Sequence, residues 1–133
     1  MNDYACAILH RRGKILLGKR SPSRRLYPNL WDVLGGRVEP GETTLAALAR
    51  ELGEEVGLVP TSARYLTTLN DQAAHLPGIL NYHMYLVEDW EGGEAAIRNA
   101  EHTALAWFDV ADAAALPDLA LESYRTLFLS ISA

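Results

Sequence analysis

The chain has 133 residues, 49% hydrophobic and 22% charged, the balance of one ordinary globular domain with a single core. No apolar run approaches the roughly 18 residues of a membrane span, and residues 1–14 lack the basic start and cleavage pattern of a signal peptide, so the expected location is the cytoplasm. Net charge is −5, which argues against a nucleic-acid polymer as partner; the single cysteine, Cys6, cannot form an internal disulfide and fits a reducing compartment.

The charge is unevenly placed. Arg11, Arg12, Lys14, Lys19, Arg20, Arg24 and Arg25 stand against Asp3 alone in the first 25 residues, and the remainder is strongly acidic. Tyr4–Leu9 and Ile15–Leu17 read as two strands joined by a turn at Arg12-Gly13, with Cys6 as a small core residue. Residues 21–29, SPSRRLYPN, form a loop whose basic side chains are free to meet a ligand. Trp31–Leu34 is a short strand that ends at Gly35-Gly36, where backbone can approach a ligand closely.

Glu39-Pro40-Gly41 then turns into a helix with Glu42, Thr43 and Thr44 at its amino end and Gly57 at its stop. Leu45, Leu48, Leu52 and Val56, with Ala49, form its expected apolar stripe. Val59–Ser62 closes this unit, Arg64–Leu69 reads as a strand, and Asn70–Gly78 as a loop over a substrate cleft. Ile79–Val87 is the clearest later strand, followed by a polar turn over 88–96, a short strand at Leu105–Phe108 and a second amphipathic helix over Leu119–Ile131. Trp31 and Trp107 are expected in the core. Mixed strands with two separated helices predict a single α/β domain, a sandwich with a mixed sheet between helices.

Glu51, Glu54 and Glu55 stand at i, i+3 and i+4, so their carboxylates share a helix face opposite to or flanking the apolar stripe. At about 6 Å and an effective dielectric near 20, each pair repels by roughly 3 kcal/mol, and the carboxyl end of a helix disfavours anions. A hard divalent cation removes the conflict, and Mg²⁺ typically shares itself between a few carboxylates and substrate phosphates. A solvated acidic face is the plain alternative.

Gly36, five residues, Glu42, seven residues, Arg50-Glu51-Leu52, one residue, Glu54-Glu55, one residue, Gly57-Leu58 resembles the Nudix box at every defined position. The surrounding chain is similar to a small, MutT-like Nudix domain. The resemblance implies a Nudix-type α/β/α sandwich and Mg²⁺-dependent hydrolysis of a nucleoside diphosphate linked to another group, with Mn²⁺ as the alternative ion. It implies metal ligands at Glu51, Glu54 and Glu55 and at the backbone carbonyl of Gly35 or Gly36. Glu51 or Glu54 would orient or deprotonate the water, Arg50 would hold a box glutamate, and Glu42 would bind metal or orient the loop. Glu101 occupies a region where relatives place a further acid; His102 beside it reads as a loop histidine.

Arg20 is the expected phosphate contact, and Tyr27, Trp31, His83 and Asp118 are candidates for the base pocket, Asp118 as a reader of a purine edge. The expected substrate is a nucleoside triphosphate, an ordinary or oxidised dNTP, cleaved to monophosphate and pyrophosphate by a monomer or homodimer. Two other readings stand beside it: hydrolysis of ADP-ribose, a nucleotide sugar or a dinucleotide polyphosphate, and a nucleotide-binding module without turnover. The signature of the last would be loss of a box glutamate, and none is lost.

Overall fold

Strand β1 (Asp3–Arg11) is buried on both faces, which is why it reads as a continuous apolar run. The computed structural model describes residues 2–72 and 77–131. A tight turn at Arg12-Gly13 leads into β2 (Lys14–Arg20), and the two strands pair only next to that turn, through His10 with Ile15 and Arg11 with Lys14. Beyond it they part. The freed edge of β1 takes β4 (Leu34–Arg37) antiparallel, while β2 takes β3 (Trp31–Asp32). The chain between β3 and β4 thus crosses from one half of the sheet to the other, and the opening between the halves is where the site forms.

β5 (Val59–Asp71) pairs antiparallel with β6 (Leu80–Glu91), and β6 runs parallel to β1, so the sheet is mixed. β7 (His102–Asp109) covers the other edge of β2. Helix α1 (Thr44–Val56) packs on one face against Ala5, Ala7, Leu9, Leu34 and Val87; the two alanines of β1 let the helix come close. The opposite face holds Cys6, Ile8, Ile15, Leu17 and Met84 under α2 (Val110–Ala114) and α3 (Tyr124–Leu129). The expected α/β/α sandwich with a mixed sheet is the fold found.

Local departures have physical reasons. The single helix expected over Leu119–Ile131 is confined to Tyr124–Leu129, because the segment before it pairs with β3: Trp31 N–H donates to the Asp118 carbonyl at 2.8 Å and Ala120 N–H to the Trp31 carbonyl at 2.8 Å. The short α2 was not foreseen. Pairing with the long β6 draws Val59–Ser62 and Asn70-Asp71 into β5, and β6 itself runs into the predicted polar turn. Four residues of the predicted cleft loop, 73–76, lie outside the described residues. Trp107 is 41% exposed and stacks on Trp90 instead of entering the core, whereas Trp31 is half-buried, edge-on to Phe108.

Candidate active site

Helix α1 carries the centre of the site, and its buried face differs from the predicted stripe. Ala47, Leu48, Leu52 and Val56 are buried, but Leu45 and Ala49 are exposed, and Glu51 and Glu55 take places on the buried face. Two glutamates therefore point toward the sheet while Glu54 points to solvent, its side chain 56% exposed. Thr43 caps the helix, accepting from Ala46 N–H at 3.1 Å, and Gly57 ends it in the left-handed conformation.

β4 makes room for these carboxylates. A Cβ on Gly36 would lie 2.4 Å from the Glu51 carboxylate; one on Gly35, whose φ is 137°, would lie 2.0 Å from the Ala5 carbonyl oxygen. Neither position accepts a side chain without rearrangement. Gly35 N–H points at Glu55 Oε1 from 3.5 Å, and His102, buried at the start of β7 and not in a loop, brings Nδ1 to 3.9 Å from the same oxygen. Burial holds the His102 imidazole below its ordinary pKa and so favours its neutral form.

One oxygen each from Glu51, Glu55 and Glu101 lie within 4.8 Å of one another. Burial, reinforced by Glu101 and by the hydrogen bond with Glu51, pushes Glu55 up to about 10; burial also raises Glu51, opposed by the hydrogen bond from Glu55 and by Arg50. Burial thus disfavours the charged form of Glu55 while no cation stands beside it. Its Oε2 is buried with no hydrogen-bond partner among the described residues. Such an orphaned oxygen, beside two further carboxylates, fits a hard divalent cation with oxygen ligands.

Arg50 spans the helix–loop junction. Its Nε and Nη2 donate to the two oxygens of Glu42 at 2.8 and 2.9 Å, Nη1 to Glu51 at 2.9 Å and Glu54 at 3.3 Å, and Nη2 also to the Arg37 carbonyl at 2.9 Å. Glu42 accepts from Glu39 N–H as well, and the Arg50 pairing first, then that bond, hold its carboxylate down to about 2. Arg50 and Glu42 form a brace that aims Glu51.

The opening beside this cluster is a cleft of about 390 Å³. Glu51, Glu101, Gly35 and Gly36 line it with Arg24 and Arg25, and so do Tyr4, Tyr27, Tyr82 and Tyr124. Glu101 is set by its neighbours: Oε2 accepts from Asn99 Nδ2 at 2.8 Å, its N–H donates to Asn99 Oδ1 at 3.1 Å, and Oε1 pairs with Arg24. Arg20 also lines the cleft, but Nη1 is bound to Asp32 at 3.0 Å and Nε to the Leu26 carbonyl at 2.7 Å, with only 12% of the side chain exposed. Tyr124 donates to the other Asp32 oxygen at 2.6 Å, so Asp32 ties β3, β2 and α3 together beneath the cleft.

Of the predicted residues, the structure brings together Glu51, Glu55, Glu101 and Gly35, with Arg50 behind them; Glu54, paired with Arg50, faces solvent outside the cleft lining. Tyr27 is in the cleft wall, its hydroxyl bonded to Asp71. Asp118, Trp31 and His83 stand outside the lining; His83 instead bridges Thr68 and Asp3 at 2.9 and 3.0 Å. Sequence reasoning missed Asp32, Asn99, Tyr4 and Tyr82. Asn99 carried a faint signal, an Asn two residues before an acid in a polar turn.

A carboxylate cluster suited to a divalent cation, opening into a cleft with arginines and tyrosines in a mixed-sheet sandwich, defines a hydrolase for phosphate-bearing ligands. The chain belongs to the Nudix family: the NUDIX domain model matches residues 2–129. Over 117 residues it is 35% identical to the CTP pyrophosphohydrolase of Escherichia coli K12, covering 88% of this chain and 82% of that protein. It is also 32% identical over 113 residues to the NAD-capped RNA hydrolase NudC of Chromobacterium violaceum, covering 85% of this chain but only 40% of that longer protein. Among solved structures, the MutT NUDIX hydrolase of Burkholderia pseudomallei superposes with a TM-score of 0.85 at 27% identity over 98% of both chains. The E. coli ORF135 protein gives 0.78 at 32% identity, covering 96% of this chain and 86% of that one. The protein is therefore a Nudix hydrolase acting on nucleotide pyrophosphate bonds. Among the described residues no helix is long and apolar enough to cross a membrane.

Proposed function

We propose that this enzyme is a nucleoside triphosphate pyrophosphohydrolase, converting a triphosphate and water to a nucleoside monophosphate and pyrophosphate. The observation that carries the reading is that one cleft of about 390 Å³ is lined by carboxylates and arginines together with tyrosines. That volume suits one nucleotide better than a dinucleotide, and such a lining offers partners for both its phosphates and its base. The 35% identity to a CTP pyrophosphohydrolase supports trying CTP and dCTP first, beside the oxidised and ordinary dNTPs.

Glu51, Glu55 and Glu101 would hold the divalent cation, Mg²⁺ or Mn²⁺, with Glu54 and the Gly35 carbonyl at its margin. When bound, the ion neutralises charge developing on the phosphates and lowers the pKa of water. Arg50 keeps Glu51 aimed through its brace to Glu42. Arg25, exposed in the cleft wall and without a hydrogen bond or ion pair among the described residues, supplies a guanidinium for phosphate oxygens. Glu54, solvent-facing beside Glu51, takes the proton of the attacking water as its oxygen joins phosphorus and the α–β bridge bond breaks. Tyrosine rings in the cleft receive the base.

The test is a panel of CTP, dCTP, the other dNTPs, oxidised dGTP, ADP-ribose and diadenosine polyphosphates with Mg²⁺, products resolved by chromatography. Monophosphate with pyrophosphate is the expected pair; a sugar phosphate from ADP-ribose as the main activity overturns the assignment.

A further inference from the structure

Two arginines neutralise carboxylates of the cluster, and they are held in opposite ways. Arg50 donates to Glu42, Glu51, Glu54 and the Arg37 carbonyl at once, so it cannot leave without stranding several acceptors. The guanidinium of Arg24 meets Glu101 alone among the described residues, sits in the cleft wall and is 31% exposed. Glu101 does not need Arg24 for its position. Asn99 holds Glu101 through side chain and backbone, and the Glu101 carbonyl accepts from Ser21 N–H at 2.9 Å. The arginine therefore balances charge on a carboxylate that other bonds already fix.

We propose that Arg24 is an exchangeable counter-ion: it occupies Glu101 while the cluster is empty of metal, and passes to the substrate's phosphates once Glu101 serves a divalent cation. This rests on the reading of the cluster as the cation site of a triphosphate hydrolase. A guanidinium and a dication on the same carboxylate repel, and Arg24 is the partner with somewhere to go, because its loop and Arg25 face the same cleft. Phosphate oxygens offer the guanidinium a charge-assisted pairing in place of the carboxylate. Metal binding and nucleotide binding are thereby coupled through one side chain, which competes with the first and assists the second.

Arg24→Gln separates the two halves. Titration of Mn²⁺ alone, followed by calorimetry, is expected to show about threefold or more tighter binding than wild type, because the competitor is gone. Binding of α,β-methylene-CTP with Mg²⁺ is expected to weaken about tenfold, with partial recovery in Arg24→Lys. Unchanged or weaker Mn²⁺ binding in Arg24→Gln overturns the proposal, since a merely structural arginine would loosen both ligands, and so does unchanged nucleotide binding. Wild-type Mn²⁺ binding that Glu55→Gln abolishes keeps the cluster assignment intact whatever Arg24 does. Absence of Mn²⁺ binding in wild type, or of binding of the CTP analogue, sinks the underlying reading itself.

Discussion

The two walls of the cleft hold their charges by contrasting means. On the α1–β4 wall Glu55 and Glu51 are buried against glycine backbone, braced by an arginine with several acceptors, and cannot move without disturbing the core. On the other wall, built from the 21–30 loop and the 99–101 turn, Arg24 meets Glu101 at one partly exposed pair and Arg25 is exposed. Burial makes the first wall a rigid cradle at the expense of a perturbed titration; exposure leaves the second weakly held and so available for exchange. A hydrolase for phosphate anhydrides needs both, a fixed position for its cation and a compliant grip on a substrate that must enter and leave.

The rigid wall is where substitutions should cost most. Glu55→Gln, nearly isosteric, is expected to leave the fold intact and lower Mg²⁺-dependent turnover by about a thousandfold, read as initial rates of pyrophosphate release. Gly36→Ala drives a methyl group into Glu51 and should lower turnover by about a hundredfold; circular dichroism matching wild type would separate that displacement from unfolding. Glu42→Ala removes the brace without touching the cluster and is expected to cost about tenfold in kcat, with KM little changed. On the compliant wall Arg25→Ala should raise KM by about tenfold and spare kcat, and an equal loss in both would contradict the contrast.

The last effect is on stability. Glu55 is raised in the folded protein from an ordinary 4.5 to about 10, so the folded state binds its proton more tightly than the unfolded chain. Its stabilising contribution is complete below pH 4.5 and falls away as pH climbs toward 10. In EDTA the wild-type melting temperature should thus decline over that interval more steeply than that of Glu55→Gln, while parallel slopes would mean that Glu55 is not buried as the acid.

The rigid wall was the more legible of the two, because a helix writes its ligands at fixed spacing. Glu51 and Glu55, one turn apart, with Arg50 and a glycine pair upstream, could be picked out from order alone. The face they occupy could not: Leu45 and Ala49 looked as apolar as Leu48 and Leu52, and only the close approach of β1 alanines to α1 decided that Glu51 and Glu55 would be buried and Glu54 would not. The compliant wall was poorly legible. Arg20 stood out as a phosphate contact because nothing in its neighbourhood showed that strand pairing would set Asp32 beside it, through Gly18 opposite Asp32.

By itself the sequence determined the reaction class, the helix with its cap and stop, the hairpin and the mixed α/β architecture, since each follows from local periodicity and from one long motif. Tertiary structure decided which acid completes the cluster, which arginines are already spent, and which aromatic rings reach the cleft. Glu101 is separated from Glu51 by 50 positions and from Arg24 by 77, and no local rule spans such distances. The parting of β1 and β2 beyond their shared turn brings those segments to one opening, and that divergence depends on which edge strands win each partner.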